Sequence, residues 1–155
     1  MGESEFVRQA EALKGRLYRT ALLYLGNETA AVDAVDEAVY KGYLARKKLR
    51  QPEFFATWLT RILINVCNNE LRRRKRETAV ETLPETAVEE FDALPLKEAV
   101  ERLPDDIRAV IVLRYFTGLT LAETAAALNV PPGTVSTRQR KGLGLLRLEL
   151  EEDDL

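Results

Sequence analysis

The residues best suited to chemistry lie in one short stretch near the C-terminus, where hydroxyl and basic side chains are interspersed. These candidate residues are Thr134, Ser136, Thr137, Arg140 and Lys141. Their chemistry is non-covalent recognition, because Arg and Lys bind guanine acceptors or phosphates and hydroxyls adapt to several bases. An exposed helix of this composition suits the major groove of DNA. The stretch therefore predicts a duplex-DNA contact; a solvated basic helix face is the alternative.

Two predicted helices joined by a tight turn position these side chains. Thr120 followed by Glu123 has the spacing of a capping box, which starts the first helix. Asn129 favours the left-handed conformation of the turn, and Pro132 suits the first position of the second helix. At about 100° per residue, the inner side of the second helix holds Val135, Gln139, Gly142 and Leu146. The outer side holds Thr137, Arg140, Lys141 and Gly144.

A second candidate site follows a longer predicted helix. Its core stripe consists of Phe55, Leu59, Ile62 and Val66. The neighbouring stripe interleaves aromatic, amide and basic side chains, namely Phe54, Trp58, Arg61, Asn65, Asn68, Asn69 and Arg72. Aromatic rings stack on unpaired bases, amides bond to base edges, and Arg holds phosphates. This stripe predicts a site for an unstacked DNA strand, with core packing the favoured role for Trp58 taken alone.

Charge is distributed in blocks, although the net charge is only −2. Residues 41–76 hold eleven Lys or Arg against two acids, residues 77–106 hold ten acids against two bases, and residues 107–148 hold six bases against one acid. The first block ends in the run RRRKR, which contains Arg73. Beside the aromatic stripe this run favours contact with the DNA backbone, with a solvated helix end as the alternative.

The composition argues against an enzyme. The 155 residues include no His, which removes the commonest acid/base catalyst and metal ligand. The single cysteine, Cys67, excludes an internal disulfide, and its apolar helical setting predicts a core residue rather than a nucleophile. We expect no catalysis, cofactor or metal. The chain is expected to be cytoplasmic, because it has no apolar run long enough for a bilayer and begins with the acidic segment MGESEF.

Apolar residues recur at helical spacing through most of the chain, which predicts an all-α fold of two small domains. The first domain covers residues 1–76 and begins with one or two helices that end near Gly26 and Asn27. The next helix is expected to be capped by Thr29. A break at Pro52 then precedes the long helix with the two stripes.

An acidic segment separates the two predicted domains. Residues 77–95 lack a sustained apolar stripe and contain Pro84 and Pro95, which indicates a flexible linker. Short helical pieces that touch a partner are the alternative. Residues 96–150 then form the second helical domain, and residues 151–155 form an acidic tail.

Residues 103–138 resemble the fourth conserved region of bacterial sigma factors of the extracytoplasmic-function group. The resemblance is carried by the LP start, the middle LRYFTGLTLAETA and the end GTVSTR. In that family the region reads the minus-thirty-five promoter element. The resemblance therefore implies DNA contacts from Thr134, Ser136, Thr137, Arg138, Arg140 and Lys141. Pro131 departs from the Ser or Thr cap that the family commonly has, which predicts an altered start of the recognition helix.

The N-terminal half resembles the second region of the same family. The segment AAVDAVDEAVYKGY resembles the helix that grips the clamp coiled coil of RNA polymerase, with Asp33, Asp36 and Glu37 at its polar positions. The segment from residue 54 to residue 76 resembles the helix that melts the promoter and reads the minus-ten element. Between them, ARKKLRQPEFF occupies the place of the loop that pockets a flipped base, without the family's Phe-x-Gly pattern. By position, the candidates in this loop are Leu49, Arg50 and Gln51.

This resemblance implies a promoter-specificity subunit of RNA polymerase, without catalysis of its own and active in a stress or envelope response. Its implied partners are core polymerase, through the clamp coiled coil and the flap, and promoter DNA, both duplex and single-stranded. A further implied partner is an anti-sigma factor anchored in the membrane; the chain itself is not expected to insert there. A freestanding helix-turn-helix regulator is the alternative, and it would need no particular N-terminal half.

Overall fold

A computed structural model describes residues 1–78 and 94–153, and every regular element in these ranges is helical. The α-helices are α1 Glu3–Leu25, α2 Glu28–Leu44, α3 Phe55–Thr78, α4 Leu94–Glu101, α5 Asp105–Ile111, α6 Leu121–Leu128 and α7 Pro132–Asp153. Helices α1 to α3 form an N-terminal unit, and α4 to α7 form a C-terminal unit. The predicted all-α class with two helical units is therefore confirmed. None of the described helices is long and apolar enough to cross a membrane.

The corner between α1 and α2 lies where the sequence predicts it, but a different residue caps α2. Gly26 is left-handed (φ +70°), and its N–H donates to the Leu22 carbonyl at 2.7 Å, which ends α1. The side-chain oxygen of Asn27 accepts from the N–H of Ala30 at 2.9 Å. The predicted Thr29 cap is wrong, because Thr29 already lies inside the first turn of α2.

Helix α3 packs across α1 and α2 on an aromatic core. The Phe6 ring meets Phe55 and Tyr43 edge to face, with centroids 5.5 and 5.7 Å apart. Gly42 of α2 lies so close to α3 that a Cβ there would be 2.7 Å from Leu59 Cδ1. A glycine therefore lets the two helices approach closely at this point.

The predicted core stripe of α3 is confirmed, and the buried surface is wider than predicted. Phe55, Leu59 and Val66 are buried, and Ile62 is half-buried against the same core. The structure adds the buried residues Leu63, Ile64 and Cys67. Helix α3 is covered from several directions, because α1, α2 and also α6 of the C-terminal unit pack on it.

In the C-terminal unit, α5 runs on into a wider π-helical turn at Val112–Phe116. The N–H of Thr117 donates to the Val112 carbonyl at 2.9 Å, and Gly118 (φ +82°) then turns the chain. Helix α7 packs back on α4, α5 and α6. The unit is therefore organised around α7, the helix that carries the first candidate site.

The described helices reach into the predicted linker from both sides. Helix α3 ends at Thr78 and α4 begins at Leu94, with Pro95 in its first turn. The remainder of that prediction, residues 79–93, lies outside the described residues. Helix α7 continues into the predicted acidic tail as far as Asp153. Most buried apolar residues of the two units form one continuous cluster, and Val110, Ala125 and Val135 form a second, smaller one.

Candidate nucleic-acid interface

Helix α6 has the start and end that the sequence predicts. The Thr120 hydroxyl accepts from the Glu123 N–H at 3.1 Å, and a Glu123 carboxylate oxygen accepts from the Thr120 N–H at 2.8 Å. This backbone N–H is the main reason that the pKa of Glu123 lies below its usual value. At the other end Asn129 is left-handed (φ +57°). The capping box and the turn residue therefore fix the spacing between α6 and α7.

Helix α7 begins at Pro132, as predicted. The carbonyl of Pro131 accepts from the N–H groups of Thr134 and Val135 at 3.0 and 3.3 Å. Pro131 is therefore compatible with hydrogen-bonded helix from the first turn, even though it offers no hydroxyl cap.

The inner side of α7 also agrees with the prediction. Val135, Gly142 and Leu146 are buried, and Gln139 accepts a hydrogen bond from Arg114 Nε at 2.9 Å. A second Arg114 nitrogen donates to the Leu119 carbonyl at 2.9 Å. Arg114 therefore braces α7 against the turn that leads into α6.

The outer side of α7 faces solvent. Thr137, Arg140, Lys141 and Gly144 are all exposed, whereas Thr134 and Ser136 are half-buried beside them. The Thr137 hydroxyl donates to the Gly133 carbonyl at 3.0 Å. Arg138 is half-buried, with Nε 3.6 Å from Asp106 Oδ2. In the described parts of the chain, Arg140 and Lys141 form no ion pair, so their donors remain available to a ligand.

The mixed stripe on α3 forms a second exposed surface. Phe54 is 54% exposed, and Arg61, Asn65, Asn69 and Arg72 are exposed along the helix that follows it. Asn68 and Trp58 are half-buried. The Trp58 ring lies 6.1 Å from the Phe55 ring and packs on the core. Trp58 thus contributes to the core while part of its surface borders the exposed amides.

The basic end of α3 is partly engaged in ion pairs. Arg73 bonds to Glu70 and Glu77 on its own helix, with closest nitrogen to oxygen distances of 2.7 Å to each. The pair with Glu77 is exposed on both sides and therefore weak, whereas the pair with Glu70 is bidentate and its carboxylate is mostly covered. Arg72 and Arg76 form no ion pair with any described residue. The end of α3 therefore retains basic groups for an anionic ligand.

The loop between α2 and α3 places two of its three candidates in solvent. Leu49 is half-buried against the core, whereas Arg50 and Gln51 are exposed in an extended segment between short 3₁₀ turns. This segment leads directly into the N-terminus of α3. Arg50 and Gln51 are thus the loop side chains that are free to contact a ligand beside the stripe.

Helix α2 presents a surface that the sequence identified only in part. Asp33, Asp36 and Glu37 are exposed, as the resemblance implies. Tyr40 and Leu44, each 63% exposed, lie on the same side of α2 and were missed. Their helical spacing from Asp33 would have identified them. The surface is therefore acidic at one end and apolar at the other.

An apolar groove on the C-terminal unit was also missed. It has a volume of about 480 Å³ and lies between α4, the π turn and α7. Its apolar lining consists of Leu96, Ile111, Tyr115, Phe116, Leu143, Leu146 and Leu150. Tyr115 and Leu143 are 50% and 41% exposed and line the same groove, so they form part of one apolar patch rather than isolated exposed residues. The sequence signal was the presence of Leu143 and Leu150 on a side of α7 away from its core.

Cys67 is fully buried, which confirms the predicted core role. Burial raises the pKa of its thiol to about 12, so the thiolate is not available as a nucleophile near neutral pH. The described residues contain no cluster of three or more side chains able to hold a metal ion.

Comparison with known proteins identifies both halves of the chain. Residues 10–77 match the family described as Sigma-70 region 2, and residues 99–148 match Sigma-70, region 4. RNA polymerase sigma factor SigV of Bacillus subtilis is 31% identical over 147 residues, which cover 92% of this chain and 89% of the relative. ECF RNA polymerase sigma factor SigW of the same organism is 29% identical over 170 residues, which cover 97% of this chain and 91% of the relative.

Two solved structures share the fold. The sigma factor RpoE in complex with the anti-sigma factor NepR, from Bartonella quintana, matches with a TM-score of 0.83 at 21% identity, covering 96% of this chain and 98% of that chain. CnrH in complex with the cytosolic domain of CnrY matches with a TM-score of 0.74 at 22% identity, covering 96% of this chain and 88% of that chain. Both conserved regions and the relatives agree: this chain belongs to the sigma-70 family, as an RNA polymerase sigma factor of the extracytoplasmic-function group, and is not an enzyme.

Proposed function

We propose that this sigma factor reads the minus-thirty-five element with α7 and opens the minus-ten element with the mixed stripe of α3. The observation that carries the proposal is the presence of two exposed helices with different chemistry in one chain. Helix α7 offers hydroxyls and cations, which suit a stacked duplex. Helix α3 offers an aromatic ring and amides, which suit bases that have left the stack.

On α7, Arg140 and Lys141 are the residues best placed to contact guanine acceptors or phosphates. Thr134, Ser136 and Thr137 supply hydroxyls along the same face. Arg138 would have to leave Asp106 in order to bind DNA; their separation of 3.6 Å in a partly exposed pair makes that exchange inexpensive.

On α3, Asn65 is the central residue of the proposed melting surface. Its exposed amide both donates and accepts, and Trp58 and Asn69 lie beside it. Phe54 supplies an exposed ring for stacking, while Arg61, Arg72 and Arg73 hold phosphates. Leu49, Arg50 and Gln51 of the preceding loop would border a flipped base. Stacking and hydrogen bonds of this kind offset the few kcal/mol (~2–3) that unstacking a base costs.

The proposed polymerase contacts use the remaining two surfaces. Asp33, Asp36 and Glu37 on α2 would bind the clamp coiled coil, with Tyr40 and Leu44 adding apolar area. The apolar groove on the C-terminal unit would receive the flap. A groove of this size and lining suits a short apolar helix face.

Regulation by an anti-sigma factor is supported by a matched structure, since the sigma factor RpoE was solved in complex with the anti-sigma factor NepR. We propose a one-to-one complex, in the cytoplasm, with an anti-sigma domain of a membrane-anchored protein, formed in an envelope or stress response. Binding of that domain would exclude core polymerase. Simultaneous saturation by both partners would contradict this part of the proposal.

Binding to purified core polymerase tests the proposal directly. The double variant Asp33→Lys, Glu37→Lys is expected to bind core more weakly than the parent, with an unchanged helical circular dichroism spectrum. The double variant Glu3→Lys, Glu11→Lys makes the same charge change on exposed positions of α1 and is expected to bind normally. A parent chain that does not bind core would instead indicate a freestanding DNA-binding regulator.

A further inference from the structure

The loop between α2 and α3 is tied to the aromatic core at both of its ends. At the start of the loop, the guanidinium carbon of Arg46 lies 4.2 Å from the centroid of the Tyr43 ring. The Tyr43 ring meets Phe6 edge to face, with centroids 5.7 Å apart. At the end of the loop, Phe55 begins α3 and meets the same Phe6 ring, with centroids 5.5 Å apart. Both ends of the loop are therefore anchored, through aromatic contacts, on Phe6.

Arg46 also completes the C-terminal end of α2. Its terminal nitrogen Nη1 donates to the Tyr43 carbonyl at 2.9 Å. Carbonyls in the last turn of a helix have no partner within the helix, and the helix dipole favours a positive charge at that end. A cation over the face of an aromatic ring is attracted to the ring as well. The carbonyl, the dipole and the ring therefore hold the Arg46 side chain in one place.

The loop keeps a defined backbone as it leaves this anchor. The N–H of Lys48 donates to the Ala45 carbonyl at 2.9 Å, and the N–H of Leu49 donates to the Arg46 carbonyl at 3.4 Å. Leu49 is half-buried against the core. Arg46 thus supplies both the side chain over Tyr43 and a carbonyl of the first 3₁₀ turn. Its position therefore sets the direction of the exposed residues that follow Leu49.

One atom of Arg46 argues against a role in stability alone. Its Nε is buried and forms no hydrogen bond with any residue of the described ranges. A buried donor without an acceptor lowers the stability of the folded chain. An unbranched apolar side chain of similar length would fill the same space without that cost. Stability of the fold therefore does not account for an arginine at this position, which favours a role in what the loop does.

We propose that Arg46 is a positioning residue for base selection in the minus-ten element, because it holds the loop so that Arg50 and Gln51 meet the flipped base in one orientation. The inference rests on the proposed function, which places the flipped base beside this loop. Hydrogen bonds weaken steeply when donor and acceptor are misaligned, so discrimination between bases requires a fixed loop. Arg46 acts through the loop and does not itself contact DNA. Its loss changes which base is accepted more than how tightly the chain binds DNA.

The variant Arg46→Met tests this role, because it keeps much of the side-chain volume and removes the charge and the donors. The full chain is assayed with core polymerase on promoters that carry each of the four bases at each minus-ten position. At one of these positions, the transcription ratio between the preferred base and the others is expected to fall about two- to tenfold, the effect of one misaligned hydrogen bond. Affinity for core polymerase and for a duplex carrying only the upstream element is expected to equal that of the parent.

Two further variants separate positioning from charge. Lys47→Met makes the same charge change at an exposed residue of the same 3₁₀ turn. It is expected to keep the base preference of the parent, and any loss of transcription should be equal for all four bases, as for a phosphate contact. Arg46→Lys keeps a cation near the Tyr43 ring, so its base preference is expected to lie between those of Arg46→Met and the parent. An equal loss of preference in Lys47→Met would overturn the proposal.

Hydrogen exchange of the free chain tests the positioning without any promoter. The N–H groups of Lys48 and Leu49 carry the hydrogen bonds of the first 3₁₀ turn. Their protection factors are expected to fall by about threefold or more in Arg46→Met and to stay at the parental value in Lys47→Met. If Arg46→Met does not fold, Arg46→Gln, which removes the charge and keeps a donor, is measured in its place with the same expectations.

The outcomes separate failure of the positioning role from failure of the proposed function. A folded Arg46→Met chain with parental base preference overturns the positioning role, whether or not its loop loses protection. Unchanged protection in that variant also overturns the role, because the loop is then held without Arg46. A parent chain that binds core polymerase but shows no base preference anywhere in the minus-ten element overturns the proposed function of the loop itself.

Discussion

Gly142 brings the recognition helix close to α5, and replacing it with Ala measures how tightly that helix is seated. A Cβ at Gly142 would lie 2.7 Å from Ile111 Cγ1 and 2.8 Å from Ile107 Cγ2, where ordinary contact begins near 3.4 Å. Overpacking of this kind costs about 1–3 kcal/mol. The gain in helix propensity from Gly to Ala is about 1 kcal/mol.

Gly144 provides the matched control, because a Cβ there would meet nothing within 4 Å on the same helix. The propensity gain is common to both variants, so it cancels in their difference. Gly142→Ala is therefore expected to unfold with a free energy about 1–3 kcal/mol below that of Gly144→Ala. Since a stability difference of 1 kcal/mol shifts the thermal midpoint by about 2–4 °C in a chain of this size, the thermal unfolding midpoints of the two variants should differ by roughly 2–12 °C.

Urea denaturation followed by circular dichroism measures the difference, with equal m-values showing that both variants expose the same surface. The overpacked variant should also bind upstream-element duplex more weakly, because seating the extra methyl displaces α7 from α5. If Gly142→Ala is as stable as Gly144→Ala, the close packing of α7 on Ile107 and Ile111 is refuted.

Three other measurements test the lowered pKa of Glu123, the burial of the Cys67 thiol and the base contact proposed for Arg140. The lowered pKa of Glu123 contributes stability that is present above its ordinary value of about 4.3 and is lost as the pH falls through the lowered value. In Glu123→Gln the free energy of unfolding, measured by urea titration from about pH 3 to 7, should therefore fall less steeply at the acid end. Cys67, with its pKa raised to about 12, should be alkylated at about pH 8 only as fast as the chain unfolds, and rapid labelling of folded protein would contradict its burial. Arg140→Ala should weaken binding by about 1–3 kcal/mol and relax preference at one upstream position, whereas equal loss on all sequence variants in an anisotropy assay would reject a base contact.

Local sequence signals predicted much of the fold because the interactions involved are themselves local. Thr120 and Glu123 are three residues apart and bond to each other's backbone, so their pattern alone defines the start of α6. Asn129 adopts the left-handed conformation that ends α6 through its own backbone preference, so no distant contact is needed to predict that turn. The two sides of α7 follow from helical periodicity.

The errors and omissions have equally physical causes. Asn27 and Thr29 are both good caps, and the choice between them depends on the backbone angles that follow Gly26. The hydrogen bonds between the N-terminal and C-terminal units join residues far apart in sequence, such as Arg108 and Tyr24, which are 84 positions apart. Tyr40 and Leu44 were missed because a single apolar residue on a polar face is common in globular proteins.

Promoter opening by Asn65→Ala is the measurement that tests the central claim most directly. The templates are duplex promoters selected from randomised minus-ten and minus-thirty-five elements, and matched templates with a pre-opened bubble. With core polymerase, Asn65→Ala should still dock on the upstream element, because α7 is unchanged. It should lose most run-off transcript from duplex templates and retain part of it on the bubble, since the lost contact offsets the cost of unstacking. If Asn65→Ala, with thermal stability equal to the parent, opens duplex promoters at the parental rate, the stripe on α3 is not the melting surface.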